Sequence, residues 1–418
     1  MPFLSYYAHI FIGNLRDWEV GHLPKIQVTD ERIVGAWPPV ISLTFSVVCI
    51  VTAEFLPVSI LTPMAEGLGI TEGIAGQTIA ITAFTAIFVS IFLTTITRGI
   101  DRRVILMGCT GFLAISNVIV VVANNFGVLL AGRVLLGLAL GAFWSMAPSV
   151  AMRLVPEKDV PKALSIIFGG VSIAMVAAAP IGSYLGDLIG WRGVFGVAAL
   201  LGFACLIWQA RTLPMLPARE QGSPGAVFRV LARTGVPIAM LAILAVFTGN
   251  MALFAYIRPF LEQVSGFNAG AVSFVLLLYC VANLLGALLS SFAVQASLKS
   301  TLTLAPVFMG LCAAAFVWFG TSQFATAIIM TVWGFSRGMV PVAWSTWVTR
   351  HLGDDAENAG GLQVATIQLA NTAGAGVGGL VYDTAGTNGP VIISGLLFAL
   401  TAIFVTLGMP GQSARGEF

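Results

Sequence analysis

The chain has 418 residues, 58% of them hydrophobic and only 9% charged, with a formal net charge of +2. A soluble domain carries about 25% charged residues, so this composition excludes a water-solvated globule, and the absence of a basic run excludes a nucleic-acid-binding surface. Cys49, Cys109, Cys205, Cys280 and Cys312 all lie in apolar segments, where they read as small buried hydrophobes, and three scattered histidines make no metal cluster.

In chain order, residues 1–36 come first. They are polar and of mixed charge, and they lack the basic start and short apolar run of a signal peptide, so they read as a cytoplasmic tail or as an over-extended gene start. Six apolar runs follow, at 37–64, 74–97, 104–123, 126–151, 161–186 and 193–211. Each is long enough to cross a hydrocarbon layer of about 30 Å as a helix. A polar stretch rich in Pro, Arg and Gly occupies 212–235. Six more runs lie at 236–261, 269–293, 301–320, 324–349, 358–382 and 389–408, and 409–418 form a second tail. Proline and glycine inside these runs are no objection, because neighbouring helices can satisfy freed backbone groups. The expected fold class is an all-α membrane protein of twelve transmembrane helices. It divides into an N-terminal bundle (37–211), a central cytoplasmic loop (212–235) and a C-terminal bundle (236–408).

Basic residues orient the spans. Of the 20 Lys and Arg, Arg192 and Arg258 fall on one face, Arg133 and Arg337 fall inside spans, and all the others fall on the opposite face. The positive-inside rule therefore predicts both termini in the cytoplasm.

The two halves repeat at an offset of 196 or 197 residues. Pro63-x-x-Glu66 before Gly69 matches Pro259-x-x-Glu262 before Gly266; Gly137-x-x-x-Gly141 matches Gly334-x-x-x-Gly338; Arg153 matches Arg350; Gly182 and Asp187 match Gly378 and Asp383. A six-span unit has an even number of crossings, so the halves share one orientation and a substrate site is expected between them near the midplane. The charged positions break the repeat: Glu54 falls on Asn250 and Arg133 on Met330.

Glu54 is the one acidic residue deep in a span. A charge at the bilayer centre costs at least about 2.5–3.5 kcal/mol, so it persists where it faces a cavity or a partner. It reads either as a proton or substrate site or as a structural carboxyl that stays protonated. Pro57 leaves the carbonyl of Ala53 without its helical donor, a local break able to admit water or substrate. Arg133, at compatible depth, is the natural partner of Glu54. Arg337 is a second buried cation with no acid in view; it reads as lining a cavity or as bonded to backbone carbonyls. Asn250, Tyr256, Trp344, Gln363, Gln368, Asn371 and Trp144 form a set of amides and aromatics suited to a planar, neutral heteroaromatic ligand. Interhelical hydrogen bonding and packing explain any one of them as well. The run Gly374-Ala-Gly376-Val-Gly378-Gly379 fits a dinucleotide-binding pattern literally, but no strand precedes it, so tight helix packing is the reading. No Walker A motif occurs and no nucleophile–base pair lies in the spans. An ion gradient, rather than ATP or a cofactor, is the expected energy source, and no enzyme activity is expected.

Arg98-Gly-Ile-Asp101-Arg102-Arg103 resembles the cytoplasmic signature between spans two and three of the major facilitator superfamily, without its leading glycine clearly placed. Arg133-Val-Leu-Leu-Gly137 resembles the span-four motif of that superfamily. Ala179-Pro180-Ile-Gly182-Ser183 resembles its span-five antiporter motif, with Ala and Ser in place of two glycines. The closer resemblance is to the drug:proton antiporter group that includes the arabinose-efflux-like permeases, and within it to purine nucleoside exporters. Glu54-Phe-Leu-Pro-Val-Ser59, Tyr256-Ile-Arg-Pro259, Pro341-Val-Ala-Trp-Ser-Thr-Trp347 and Gln363-Val-Ala-Thr-Ile-Gln-Leu-Ala-Asn371 carry it, over residues 37–408. The resemblance implies a monomer in the bacterial inner membrane that exports purine ribonucleosides such as inosine and guanosine against inward proton flow. In that scheme Glu54 carries the proton and Arg133 tunes it. The amides and aromatics with Arg337 bind substrate, and Asp101, Arg102, Arg103, Pro180 and Gly182 form conformational-gate motifs. The alternative is a broader drug or sugar efflux permease.

Overall fold

A computed structural model describes residues 37–70, 72–218 and 225–408. The two tails predicted at 1–36 and 409–418 lie outside the described residues. Among the described residues, twelve helices are long and apolar enough to cross a membrane. In chain order they are α1 (Trp37–Ser59), α2 (Glu72–Ile96), α3 (Arg102–Val121) and α4 (Phe126–Leu154), then α5 (Glu157–Ala178) and α6 (Leu188–Thr212). The second six are α7 (Val236–Ala255), α8 (Ala269–Ala296), α9 (Leu298–Phe319), α10 (Gln323–His351), α11 (Ala356–Ala385) and α12 (Asn388–Gly408). No strand occurs among the described residues. Gly190, two residues into α6, breaks the helical path with a φ of 73° that a side chain would resist.

Two expected spans are shorter than their apolar runs. The run 37–64 breaks after Ser59, and a separate helix covers Leu61–Leu68. The run 236–261 breaks at Tyr256, and a separate helix covers Ile257–Gln263. The cause is the same in both. A proline ring collides with the carbonyl four residues back, and here α1 stops four residues before Pro63 and α7 four residues before Pro259.

The repeat recurs in the packing. A methyl group added at Gly137 or Gly141 of α4 would meet the carbonyls of Thr82 and Ala86 of α2, at 2.6 and 2.5 Å. Gly334 and Gly338 of α10 sit in the same way on the carbonyls of Tyr279 and Asn283 of α8. Every one of these four pairs is related by 197 residues. Small residues allow such close backbone approach, which drives association where lipid removes the hydrophobic gain. The apparent dinucleotide pattern has the same role: Gly374 lies against the carbonyl of Thr248 on α7, with a methyl-to-oxygen distance of 2.5 Å.

Helices α1–α6 enclose apolar cores of their own, as do α7–α12. Between the halves, α11 packs on α2 and α4, and α5 packs on α8 and α10. Outward faces carry exposed Phe, Leu and Ile, such as Phe84, Phe88 and Phe92 along α2. That pattern suits lipid as solvent and makes this a multi-pass membrane protein.

Candidate functional site

A cavity of about 620 Å³ lies between the halves, lined by α1, α2, α4, α5, α7, α8, α10 and α11. That size is within the usual range for small-molecule sites, roughly 300–1,000 Å³. Its walls are mostly apolar, and the polar groups that line it are few enough to take singly.

Glu54 is on the α1 wall, the one carboxylate lining the cavity. No described residue pairs with its carboxylate within 4 Å. Arg133 does not pair with it either, which departs from the expectation. Arg133 is 1% exposed. Its Nη1 donates to the carbonyl of Ala53 at 2.8 Å and its Nη2 to the carbonyl of Glu54 at 3.2 Å. Its Nε reaches the carbonyl of Thr78 at 3.4 Å. The reason lies in Pro57: it has no N–H, so the Ala53 carbonyl is left free, and the guanidinium fork takes it. The carbonyl that Pro57 frees is thus taken by an arginine while α1 continues to Ser59.

On the opposite wall, Arg337 stands mid-way along α10, with its Cζ 4.8 Å from the centre of the Phe247 ring. No backbone carbonyl or carboxylate accepts from it among the described residues, so of the two readings the cavity-lining one holds. Asn250 and Gln363 also line the space. The Oδ1 of Asn250 and the Oε1 of Gln363 are buried without a donor, while Gln363 Nε2 donates to Ser345 Oγ at 3.2 Å. Gln368 and Asn371, one turn apart on α11, face the cavity and each other, with Asn371 Nδ2 3.4 Å from Gln368 Oε1. Trp144 stacks on Phe168, ring centres 5.1 Å apart and 20° from parallel, and both line the N-terminal wall.

Two expected ligand contacts fall elsewhere. Tyr256 sits at the break after α7, where its hydroxyl donates to the carbonyl of Ala375 at 3.1 Å and its ring stacks on Tyr382. It ties α7 to α11 and does not line the cavity. Trp344 is 1% exposed and packs edge-on against Trp347 in the C-terminal core, because its position on α10 faces inward to that half. Conversely, Tyr279 and Asn283 of α8 line the cavity unforeseen. The repeat did not mark them, since their equivalents 197 residues earlier, Thr82 and Ala86, do not line the cavity.

One end of the cavity is shut. At the basic end of the bundle, Arg102, 3% exposed, forms an ion pair with Glu357 at the start of α11, Nη2 to Oε2 2.7 Å, and its Nε also donates to that carboxylate. Thr94 of α2 donates to Asn358 at 2.6 Å. Ser165 meets Ser290 at 3.0 Å, and Ser172 donates to Asn283 at 2.6 Å. Asp101 caps α3 through Arg103 N and accepts from Leu216 N of the central segment. Arg103 reaches the carbonyl of Ala210. Arg233, beyond that segment, pairs with Asp355. Gly182 is buried, and the side chain of Pro180 lies outside the described ones. At the other end, the short helices Leu61–Leu68 and Ile257–Gln263 pack against their own halves. No group of three or more metal-ligating side chains occurs among the described residues.

Among the described residues, twelve membrane-length helices in two repeated halves, a cavity between them and a polar clamp at the basic end make the architecture of a membrane transporter. The model of the Major Facilitator Superfamily matches residues 43–370, and the chain belongs to that family. It is 47% identical over 370 residues to the purine ribonucleoside efflux pump NepI of Escherichia coli strain K12, covering 88% of this chain and 93% of that one. The protein of the same name from Shigella dysenteriae serotype 1 is also 47% identical, over 94% of its length. Among solved structures, the proton:xylose symporter XylE shares the fold with a TM-score of 0.76 at 14% identity, over 90% of this chain and 96% of that one. The human organic anion transporter MFSD10 does so with a TM-score of 0.73 at 16% identity, over 91% and 100%.

Proposed function

We propose that this chain exports purine ribonucleosides across the bacterial inner membrane in exchange for protons, by rocking the halves 37–211 and 236–408 about the central cavity. The observation that carries the reading is the make-up of that cavity, taken with 47% identity to a purine ribonucleoside efflux pump. One unpaired carboxylate faces stacked aromatics and an array of amides across a largely apolar space. A planar nucleoside base gains from the aromatic faces, and its polar edges gain from the amides. Glu54 is the group that takes a proton from outside and yields it inside, so proton and nucleoside use the cavity in turn. Arg133, bonded to the main chain beside it, is a fixed positive charge that sets how readily Glu54 gives the proton up.

The direction of access follows from the basic end. If that end faces the cytoplasm, as the positive-inside rule requires, the clamp of Arg102, Glu357, Thr94 and Asn358 closes the inner side, and the cavity stands ready to release substrate and bind a proton. Family membership alone does not choose the substrate, since one fold serves many. The test is uptake of radiolabelled inosine into inverted vesicles or proteoliposomes under an imposed proton gradient, with arabinose and a cationic dye as competitors. Gradient-driven inosine movement, resistant to both competitors, is the expected result. Transport of the dye or the sugar in place of inosine would move the chain to a broader efflux permease.

A further inference from the structure

The C-terminal wall of the cavity holds a donor that the protein leaves unused. Arg337 carries five N–H donors in a planar fork and has no acceptor of its own. No carboxylate lies within 4 Å of it, and no described residue accepts from it; its contact is with the Phe247 ring, 4.8 Å away. Asn250 follows Phe247 by three residues on α7 and therefore shares its face. Its Oδ1 is buried without a donor. The same wall thus offers a fork of donors and, one helical turn from the ring beneath that fork, an acceptor. The opposite wall has no counterpart, since the position 197 residues before Arg337 is Leu140, which also lines the cavity.

A part-buried guanidinium that faces the cavity with no protein acceptor bonds whatever acceptor enters, and its fork makes a ligand that accepts two hydrogen bonds side by side gain more there than one that accepts one. A 6-oxopurine presents that pattern: N7 and O6 are adjacent acceptors, and N1–H beside them is a donor. Arginine bonds this edge bidentately in the major groove of DNA. A 6-aminopurine reverses it, with a donor at position 6 and an acceptor at N1. We infer that Arg337, with Asn250 beside it, reads the N7/O6/N1–H edge of a 6-oxopurine and makes the transporter select 6-oxopurine nucleosides over 6-aminopurine nucleosides. The inference rests on the purine ribonucleoside reading above and names the residues that would narrow it.

The test is competition against radiolabelled inosine in proteoliposomes of the full chain, with adenosine, 7-deazainosine and unlabelled inosine as competitors, for wild type, Arg337→Lys and Arg337→Gln. A bidentate arginine–base pair discriminates by about 1–3 kcal/mol, roughly 5- to 150-fold. Wild type should therefore favour inosine over adenosine by a factor in that range, and over 7-deazainosine, which lacks N7, by a smaller one. Arg337→Gln should bring both ratios close to one. Arg337→Lys, a point charge without the fork, should lose the 7-deazainosine preference first. Equal competition by inosine and 7-deazainosine in wild type overturns the inference without any variant, and so does an unchanged adenosine ratio in an Arg337→Gln protein that still moves inosine. If wild type moves no purine ribonucleoside at all, the proposed function itself fails, and the assignment of Arg337 falls with it.

Discussion

Glu357→Gln tests how firmly the basic end is held. Arg102 engages Glu357 through both Nε and Nη2, and the two side chains are 4% and 16% exposed. Breaking a fully buried pair costs about 3–5 kcal/mol when a charge is left stranded. Arg102 is not stranded here, because Nη1 still donates to the carbonyls of Thr97 at 3.0 Å and Ile100 at 2.8 Å. The loss is then nearer that of a hydrogen bond to a charged group, about 1.5–3 kcal/mol. The two partners belong to different halves, so this energy is present only while the basic end is closed. Its loss should shift the population toward opening at that end by roughly 10- to 150-fold. The assay is labelling of Val364→Cys, on the cavity wall, by an impermeant maleimide applied from the basic side. The same protein without that cysteine serves as background. Glu357→Gln should raise the labelling rate by a factor in the stated range. A rate within twofold of the parent, in protein of unchanged melting temperature, would refute the view that this pair is a closing clamp.

Glu54→Gln keeps the shape of the side chain and removes its proton cycle. It should abolish gradient-driven inosine efflux while nucleoside exchange at equilibrium continues, and full proton-coupled efflux by that variant would sink the assignment. Arg133→Leu removes the donor to the Ala53 carbonyl and should destabilise the fold by about 1–3 kcal/mol, read as a lower melting temperature in detergent. Arg133→Lys, with one ammonium in place of a fork, should recover only part of that loss. Gly141→Ala drives a methyl group to 2.5 Å from the Ala86 carbonyl and should cost about 1–3 kcal/mol by overpacking. Gly376→Ala meets nothing within 4 Å and should be neutral or raise the melting temperature, since alanine favours the helix by about 0.5–1 kcal/mol.

Much of this protein was legible along the chain. Hydrophobic run length decided twelve membrane helices, because a lipid solvent demands about 20 apolar residues at every crossing. The 196–197 offset decided that the halves are copies, because equivalent helices must solve the same packing problem, and Gly141 on Ala86 and Gly338 on Asn283 are two solutions of one kind. Glu54 stood out for the same economic reason in both views: an acid deep in lipid must face something other than lipid.

What the chain alone left open was direction. A span pattern gives depth and not the angle at which a side chain leaves its helix. Arg133 and Glu54 matched in depth, yet the guanidinium turned to the carbonyls of Ala53 and Glu54, since Pro57 had left one of them without its donor. Trp344 and Tyr256 turned into their own half, while Tyr279 and Asn283 turned to the cavity. The partner of Arg102 lies 255 residues away on α11 and follows from no local pattern. Apolar length is a property of each segment and survives in sequence; which face a segment shows its neighbours is set by twelve helices packing at once. The tertiary structure therefore decided that the cavity is shut at the basic end, and that Glu54 and Arg337 face it from opposite walls.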